Sequence, residues 1–243
     1  MNSTRFTLNP IGHIATPFKQ KFAIPRQSAL AKAKGVITLT SEFNNESVFK
    51  GLQDFSHLWL LFVFHETVSR GWKPAVKAPR LGGNDTLGVF ASRSTHRPNG
   101  VGLSVVENCG WEKKDGLLQL HVSGVDLLDA TPIVDIKPYL PYADSIDAAT
   151  DPLANYAAVP DREVRFCETT AKTLAAARSR FPDFEFLTKN ILAQDPRPAY
   201  RHHLDNDPKT YKVMLYTYDV SWQVRDGIVN VTALERIQAD EDE

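Results

Sequence analysis

Between residues 1 and 140, one strand-like segment follows another with almost no helical pattern between them, and this order constrains the fold more than any other feature. The segments are rich in β-branched and aromatic residues and are bounded by turn residues, as strands are. Many short strands in succession are typical of a barrel. We therefore predict a β-barrel built from Arg5 to Ala15, Val36 to Thr40, Ser56 to Phe64, Leu103 to Trp111 and Leu117 to Val122.

The connections between these segments differ in what they predict. Residues 112 to 116 have the composition of a hairpin turn, whereas residues 45 to 52 fit either a short helix or a turn. Residues 67 to 87 form a connection of uncommon length, and such loops are usually functional.

The segment Ser56 to Phe64 is almost continuously apolar, so we expect a strand that is covered on both faces. Its apolar run of seven residues is the longest in the chain, against the ~20 that a membrane-spanning helix needs. We therefore expect no membrane span. His65 and Glu66 follow at the edge of the core, where they either make ordinary structural hydrogen bonds or contact a ligand.

After residue 141 the pattern changes. A stretch rich in Ala, Asp and Pro leads into two helical segments, Glu168 to Arg180 and Asp183 to Ala193, and then into three strand-like segments, which together predict a small α+β domain. The predicted division is a barrel domain at 1–143, a linker at 144–160, the α+β domain at 161–237 and an acidic tail at 238–243.

The net charge of -1 conceals an uneven distribution. Residues 1–143 carry 16 Lys+Arg and 11 Asp+Glu, a balance of +5, whereas residues 144–243 carry 12 and 18, a balance of -6. Five basic residues and no acidic one lie between Thr16 and Lys34, and six lie between Arg70 and Arg97 with Asp85 as the one acidic residue. Clusters of this kind hold phosphates, although a solvated surface is the alternative.

The two cysteines, Cys109 and Cys167, are too few for a disulfide framework or a zinc site, which fits a reducing cytoplasm. No basic segment leads into an apolar one at the N-terminus, so we expect no secretory signal. Three aspartates, Asp126, Asp129 and Asp135, invite a metal site. Because they are interleaved with aliphatic residues, we instead expect ligand or turn hydrogen bonds and no metal.

The stretch from Gly88 to Glu107 carries the strongest functional signal. Strand-like ends enclose a polar loop in which Arg93 and Arg97 lie four residues apart, where Pro98 and two glycines forbid a helix. Two guanidinium groups near one backbone concavity suit a carboxylate or a phosphate, although a polar turn with solvent-facing arginines fits these residue types equally well.

This loop resembles the signature loop of the TsaA-like family. Three other stretches resemble that family in matching order, namely Phe22 to Gln27, Asp126 to Tyr139 and Ala193 to Arg201. Bacterial members methylate N6 of threonylcarbamoyladenosine beside the tRNA anticodon, with S-adenosylmethionine as the methyl donor. The sequence lacks the glycine-rich turn and βαβ alternation of doubly wound methyltransferases, which agrees with a barrel enzyme.

The resemblance implies a β-barrel methyltransferase followed by a small α+β domain, usually a homodimer that holds the cofactor near the subunit interface. Two positions depart from the family pattern, because Gly100 stands where we expect Pro and Ala130 where we expect Gly. The implied cofactor contacts are Pro25, Arg26, Gln27, His65, Glu66, Arg93, Leu103, Asp126, Leu127, Leu128 and Asp129.

For the substrate we expect Arg97 to pair with the threonyl carboxylate, and Arg80 and Lys137 to bind tRNA phosphates. The acceptor nitrogen must lose a proton, and His65, Glu66 and Asp135 are candidate bases, with none favoured. Two alternatives remain: a tRNA-binding module that has lost catalysis, and a hydrolase that uses His65 and the aspartates, for which no nucleophile has suitable spacing.

Overall fold

The computed structural model describes residues 6–77, 86–151 and 159–237. Among these residues the helices are α1 His65–Val68, α2 Pro141–Asp144, α3 Ala171–Arg180 and α4 Phe184–Ala193. The strands are β1 Gly12–Ala15, β2 Lys34–Leu39, β3 His57–Val63, β4 Ala75–Lys77, β5 Thr86–Gly88, β6 Val101–Lys114, β7 Leu117–Ser123, β8 Thr131–Pro138, β9 Val164–Phe166, β10 Asp207–Leu215, β11 Tyr218–Arg225 and β12 Ile228–Arg236.

Six strands close into a barrel in the order β1-β2-β7-β6-β3-β8, and every neighbouring pair is antiparallel. Alternate residues of each strand point inward and fill the barrel, as Ile37, Leu60 and Leu120 do with no exposed surface. The predicted barrel is confirmed, and so is the hairpin, in which Asp115 and Gly116 both adopt positive φ in a two-residue turn between β6 and β7.

Several short elements differ from the sequence prediction. β1 begins at Gly12, and Phe6 and Leu8 are exposed before it. Part of the long connection is a two-stranded ribbon of β4 and β5. Residues 46–49 and 52–54 form 3-10 turns, in agreement with the short helix or turn expected at 45–52. These pieces have three or four residues each, too few to show a clear hydrophobic period.

In the single chain, the expected cover over both faces of Ser56 to Phe64 is complete on the inner face only. In β3 the residues Leu58, Leu60 and Phe62 are buried in the barrel, whereas the alternate residues are only half-buried. Those alternate residues pair with their counterparts in β6 to form an outer apolar strip of the cross-strand pairs Trp59–Val105, Leu61–Leu103 and Val63–Val101. The apolar run therefore serves the core on one side and an uncovered surface on the other.

The second part of the chain is a four-stranded sheet, β10-β11-β12-β9, with α3 and α4, which confirms the predicted α+β region. Its parallel strand β9 was not predicted. This region contacts the barrel directly, because Tyr216 N donates to Pro17 O at 2.9 Å and Gln194 Nε2 donates to Leu30 O at 2.9 Å. The latter bond places the segment after α4 beside the basic loop of residues 16–34.

Within the described ranges, no helix has both the length and the apolar character that crossing a membrane requires.

Candidate active site

A pocket of about 710 Å³ opens where four segments of the barrel region meet. These segments are the basic loop at 24–28, the end of β3 with α1, the central loop with the start of β6, and the turn at 126–128. The structure brings to this pocket ten of the eleven residues that the resemblance implies as cofactor contacts: Pro25, Arg26, Gln27, His65, Glu66, Arg93, Leu103, Asp126, Leu127 and Leu128.

A glycine in β6 shapes the floor of the pocket. A Cβ atom on Gly102 would lie 2.4 Å from two ring carbons of Phe62, its cross-strand partner, and 2.8 Å from Phe64. The two rings pack edge to face at 5.2 Å. Because no larger residue fits at position 102, the glycine permits an aromatic floor next to the polar loop.

The central loop is held by its own hydroxyl and guanidinium groups. Arg97 Nη1 donates to the carbonyl oxygens of Ser92 at 2.7 Å and Val89 at 3.2 Å, so one edge of this guanidinium fastens the loop backbone. Gly100, at φ 60°, donates its amide hydrogen to Arg97 O at 3.1 Å and accepts from Phe64 N at 2.8 Å. The departure at position 100 therefore closes the loop with two backbone hydrogen bonds.

Arg93 lies across the pocket mouth and contacts a second segment. Its Nη1 donates a very short hydrogen bond to Gln27 Oε1, which joins the central loop to the basic loop. Lys21 makes a similar link, since its Nζ donates to Glu66 O at 3.0 Å and Thr67 Oγ1 at 3.2 Å. The segments that surround the pocket are thus connected by cationic side chains.

Asp126 is the most buried carboxylate of this pocket. Burial raises its pKa above the ordinary value, while the hydrogen bond from Ser104 Oγ at 2.7 Å and the charge of Arg93 oppose that rise. A carboxylate in such a place gains most from a cationic ligand group, which would restore the stabilisation that water no longer supplies.

Asp129 does not line this pocket and lies in a second pocket, of about 510 Å³, that adjoins the first. It accepts from Thr16 N at 2.8 Å and Lys19 Nζ at 2.5 Å, so both carboxylate oxygens have partners. The two pockets share Lys21, His65, Glu66 and Leu128. His65 and Glu66 therefore lie on the boundary between two cavities.

The candidate substrate residues occupy different places. Arg97 lines the larger pocket, whereas Arg80 lies outside the described residues. Lys137 is exposed on β8, opposite Trp59 in register, and lies 3.7 Å from the Asp135 carboxylate. Neither Lys137 nor Asp135 lines either pocket, and Asp135 Oδ1 accepts from Ile136 N at 2.9 Å, so the structure gives no support to Asp135 as a base.

Sequence reasoning missed several residues of the pocket wall. Trp59 lines it from the outer apolar strip, and its indole Nε1 donates to Asp144 Oδ2 at 2.9 Å. Ser104 is buried at an inward position of β6, where it bonds Asp126. A polar residue on the buried face of an alternating strand was the available signal for Ser104. Among the described residues, no group of three or more His, Cys, Asp or Glu side chains could hold a metal ion.

Comparisons with known proteins match this fold and site. The family models for the tRNA-methyltransferase O N-terminal domain and the TrmO C-terminal domain match residues 13–145 and 160–237. A tRNA (adenine(37)-N6)-methyltransferase of Escherichia coli (strain K12) is 45% identical over 235 residues, which are 95% of this chain and 98% of that protein.

Two further comparisons come from Pseudomonas aeruginosa. The putative S-adenosylmethionine-dependent methyltransferase RcsF is 44% identical over 219 residues, which are 89% of this chain and 91% of that protein. The crystal structure of TrmO shares 37% identity with a TM-score of 0.77, and the alignment covers 96% of this chain and 100% of that one. Since the matches span both the barrel and the α+β region, the chain belongs to the tRNA-methyltransferase O (TrmO) family, as its resemblance to TsaA-like proteins predicts.

Proposed function

We propose that this protein is an S-adenosylmethionine-dependent methyltransferase that methylates N6 of adenosine 37 in tRNA, with threonylcarbamoyladenosine as the nucleoside it accepts. The observation that carries this function is the 710 Å³ pocket, in which segments distant in sequence meet in a chain closely related to tRNA (adenine(37)-N6)-methyltransferases. Its volume and its combination of apolar walls with polar and charged side chains suit a cofactor site.

The residues present fit the proposed cofactor. S-adenosylmethionine would supply the methyl group of its sulfonium: the acceptor nitrogen would bond to the methyl carbon as the carbon–sulfur bond breaks, and the neutral thioether would leave. Asp126, with its raised pKa, would accept a hydrogen bond from a cationic amino group, and the Gln27–Arg93 pair would close the pocket mouth. The apolar residues Leu103 and Leu127 would exclude water from the same space. Such a reaction depends on alignment more than on acid catalysis.

The acceptor nucleoside would approach through the second pocket. His65 and Glu66 form part of the wall of both cavities, so a group placed there can meet a donor on one side and an acceptor on the other. We therefore retain these two residues as candidates for removing the N6 proton. Asp129 would keep the turn at 126–129 in place through Thr16 and Lys19.

Arg97 remains our proposed partner of the threonyl carboxylate. Its Nη1 is committed to backbone carbonyls, and its other nitrogens make no hydrogen bond to the residues that the structure describes. Arg97→Lys keeps the charge but removes the planar fork. We expect both Arg97→Ala and Arg97→Lys to raise the apparent KM for modified tRNA about tenfold or more. An unchanged apparent KM for modified tRNA in Arg97→Ala would contradict the pairing of Arg97 with the threonyl carboxylate.

We also propose that the outer apolar strip is the homodimer interface. Six apolar residues stand in paired positions on β3 and β6; five of them are partly exposed in one chain, and Leu103 is 52% exposed. Strips of this kind on the outside of a barrel usually meet a partner. Trp59, Val101, Leu103 and Val105 also line the pocket, which would place it beside the second subunit.

Sedimentation measurements of two variants test this interface. Leu61→Glu puts a charge in the strip without changing a pocket residue, whereas Val48→Glu changes an exposed side chain elsewhere. We expect Leu61→Glu to be monomeric and Val48→Glu to match the wild type. A wild-type protein that is monomeric at micromolar concentration would contradict the proposal.

The proposed domains are the barrel at 1–143 and the α+β domain at 161–237, joined by a linker at 144–160. The separate sheets support this division. The bonds from Gln194 and Tyr216 to the barrel indicate that the two domains act as one unit.

Transfer of an isotope-labelled methyl group from S-adenosylmethionine to tRNA tests the function. Matched substrates are the same tRNA with and without the threonylcarbamoyl group. We expect labelling of the modified tRNA only. A binding module without catalysis would retain tRNA but neither bind the cofactor in calorimetry nor transfer the label, and that result would reject the proposed function.

A further inference from the structure

The segment after α4 is held by an ionic network that the proposed chemistry does not use. Arg197 is buried and donates through Nε and Nη2 to the two oxygens of Asp195, each at 2.7 Å. Its Nη1 reaches Asp207 Oδ2 at 3.3 Å and Leu204 O at 3.2 Å. One guanidinium therefore fixes the beginning and the end of the loop between residues 195 and 207.

A second arginine fixes the middle of this loop. Arg162 donates to Asp195 Oδ2 at 2.8 Å and to the carbonyl oxygen of His202 at 2.6 Å. His202 Nε2 in turn lies 2.9 Å from Arg197 O. Burial would raise the pKa values of Asp195 and Asp207, but the arginines and the other hydrogen bonds hold both below the ordinary value. The network stays charged at neutral pH and restrains the loop backbone at its beginning, middle and end.

This rigid loop presents an aromatic side chain to solvent. Tyr200 is 66% exposed in a single 3-10 turn between Pro198 and His202. The Arg201 guanidinium lies 5.8 Å from the Tyr200 ring centroid and reaches Asp207 Oδ1 at 3.2 Å, which orients it beside the ring. His203 is also exposed here. An exposed aromatic ring with a cation over one of its faces is suited to stacking a nucleobase on the other face and to holding the adjoining phosphate.

The position of the loop supports an RNA partner over others. Gln194, the residue before the loop, bonds the carbonyl of Leu30, two residues beyond the pocket-lining Ser28. The loop therefore continues the surface of the basic segment 16–34, although residues 144–243 as a whole carry a balance of -6. An RNA strand bound along the basic segment would therefore run towards the Gln194 end of this loop.

We propose that Tyr200 stacks on an unpaired base of the tRNA, with Arg201 at the adjoining phosphate, so that the α+β domain is a second RNA-binding surface. This inference rests on the proposed function for the identity of the RNA. The buried Asp195–Arg197–Asp207 network positions this surface and does not itself touch RNA.

Binding of full-length tRNA to the full chain, measured by filter retention, tests the proposal. The variants are Tyr200→Ala, Tyr200→Phe and, as a control, Phe186→Ala, which removes a 51% exposed aromatic of the same region on α4. We expect Tyr200→Ala to weaken tRNA binding about tenfold, because base–aromatic stacking contributes on that order. Tyr200→Phe should stay within about twofold because it keeps the stacking face. Phe186→Ala should match the wild type.

Four further readouts separate the outcomes: thermal unfolding, cofactor calorimetry, sedimentation and methyl transfer. Thermal unfolding and cofactor calorimetry should be unchanged in Tyr200→Ala, since Tyr200 lies outside the buried network and outside both pockets. Equal tRNA affinity of Tyr200→Ala and the wild type would overturn the inference, as would a change in sedimentation that showed the ring to be a contact between copies of the chain. Weakened binding in a protein that transfers no methyl group would support this surface while rejecting the proposed function.

Discussion

At the scale of single residues, Asp126 links stability to ligand binding. Its folded-state pKa is raised mainly by burial, against about 3.9 for an unfolded aspartate. A carboxyl whose pKa is raised on folding contributes stability that is fully present below the unfolded pKa and is lost as the pH rises through the folded pKa. The ionised group at neutral pH therefore weakens the free protein, and a cationic ligand offsets this.

We expect Asp126→Asn to make the free protein more stable than the wild type at pH 7 and equal to it below about pH 4, because the amide cannot ionise. The same variant should bind S-adenosylmethionine more weakly, with an affinity that no longer rises with pH. Urea unfolding and calorimetry across this pH range measure both effects. A variant that is less stable at pH 7, or one with unchanged cofactor affinity, would contradict this role.

Ala130 carries backbone strain at a position where the resemblance leads us to expect glycine. Its φ is 60°, and its amide donates to Ile14 O at 2.9 Å, so the turn before β8 requires the left-handed conformation. We expect Ala130→Gly to stabilise the protein by about 0.5–1 kcal/mol. Ala175→Gly, in the exposed middle of α3, should instead lose about 1 kcal/mol. Urea unfolding of both variants measures these changes in the free energy of unfolding. An equal loss of stability in the two variants would contradict the strain at Ala130.

At the scale of elements, the central loop depends on Gly100, which stands where the resemblance leads us to expect proline. Proline holds φ near about -65° and has no amide hydrogen, whereas Gly100 has φ 60° and donates to Arg97 O. A Cβ atom would also lie 2.6 Å from Val68 Cγ2. We expect Gly100→Pro to cost about 1–3 kcal/mol and to weaken cofactor binding, because the loop carries Arg93. Unchanged stability and cofactor affinity would show that the loop tolerates proline at position 100.

The ionic network of the α+β domain should be essential for stability. Removing one partner of a buried ion pair leaves the other uncompensated, so Arg197→Ala is expected to destabilise the protein by about 3–5 kcal/mol in chemical unfolding. Arg165→Ala, which breaks a fully exposed pair with Glu163, should change little. Because the pKa values of Asp195 and Asp207 are lowered, the contribution of Arg197 should persist to about pH 4 and be lost as the pH falls further. Similar losses of stability in Arg197→Ala and Arg165→Ala would mean that the buried ion pairs contribute no more than the exposed pair.

At the scale of the whole molecule, the charge distribution predicts how tRNA binds. The balance of +5 in residues 1–143 and -6 in the remainder means that a salt-dependent attraction comes from the barrel side. We expect tRNA affinity to fall about tenfold or more between about 50 and 200 mM salt, because each neutralised phosphate releases counterions. Affinity that is flat across this range would contradict an electrostatic RNA surface.

Much of this architecture could be predicted from the sequence. The long strands and α4 show clear hydrophobic periods, so the barrel and much of the α+β region follow from pattern. Strands of three residues such as β9 carry no such period, and the outer apolar strip was hidden because a continuous apolar run does not show which face is covered. The cofactor contacts were predicted through family resemblance, since the segments that line the pocket are separated in the sequence and meet only in the fold.

The features that the sequence did not predict are orientations and hydrogen bonds of individual side chains. Nothing in the sequence shows that Arg97 fastens its own loop, that Asp129 faces a second cavity, or that Asp135 lines neither pocket. Each of these depends on which way one side chain turns at a given backbone position. Arg197 was visible as part of a motif, but its burial between two aspartates is a property of the folded domain alone.

Mass spectrometry of nucleosides tests the central claim most directly. The pure protein is incubated with S-adenosylmethionine and tRNA that contains threonylcarbamoyladenosine, and the tRNA is digested. We predict that this nucleoside gains one methyl group at N6, and that Asp126→Asn slows the gain. A methyl group on another nucleoside, or no gain although the cofactor binds, would contradict the account.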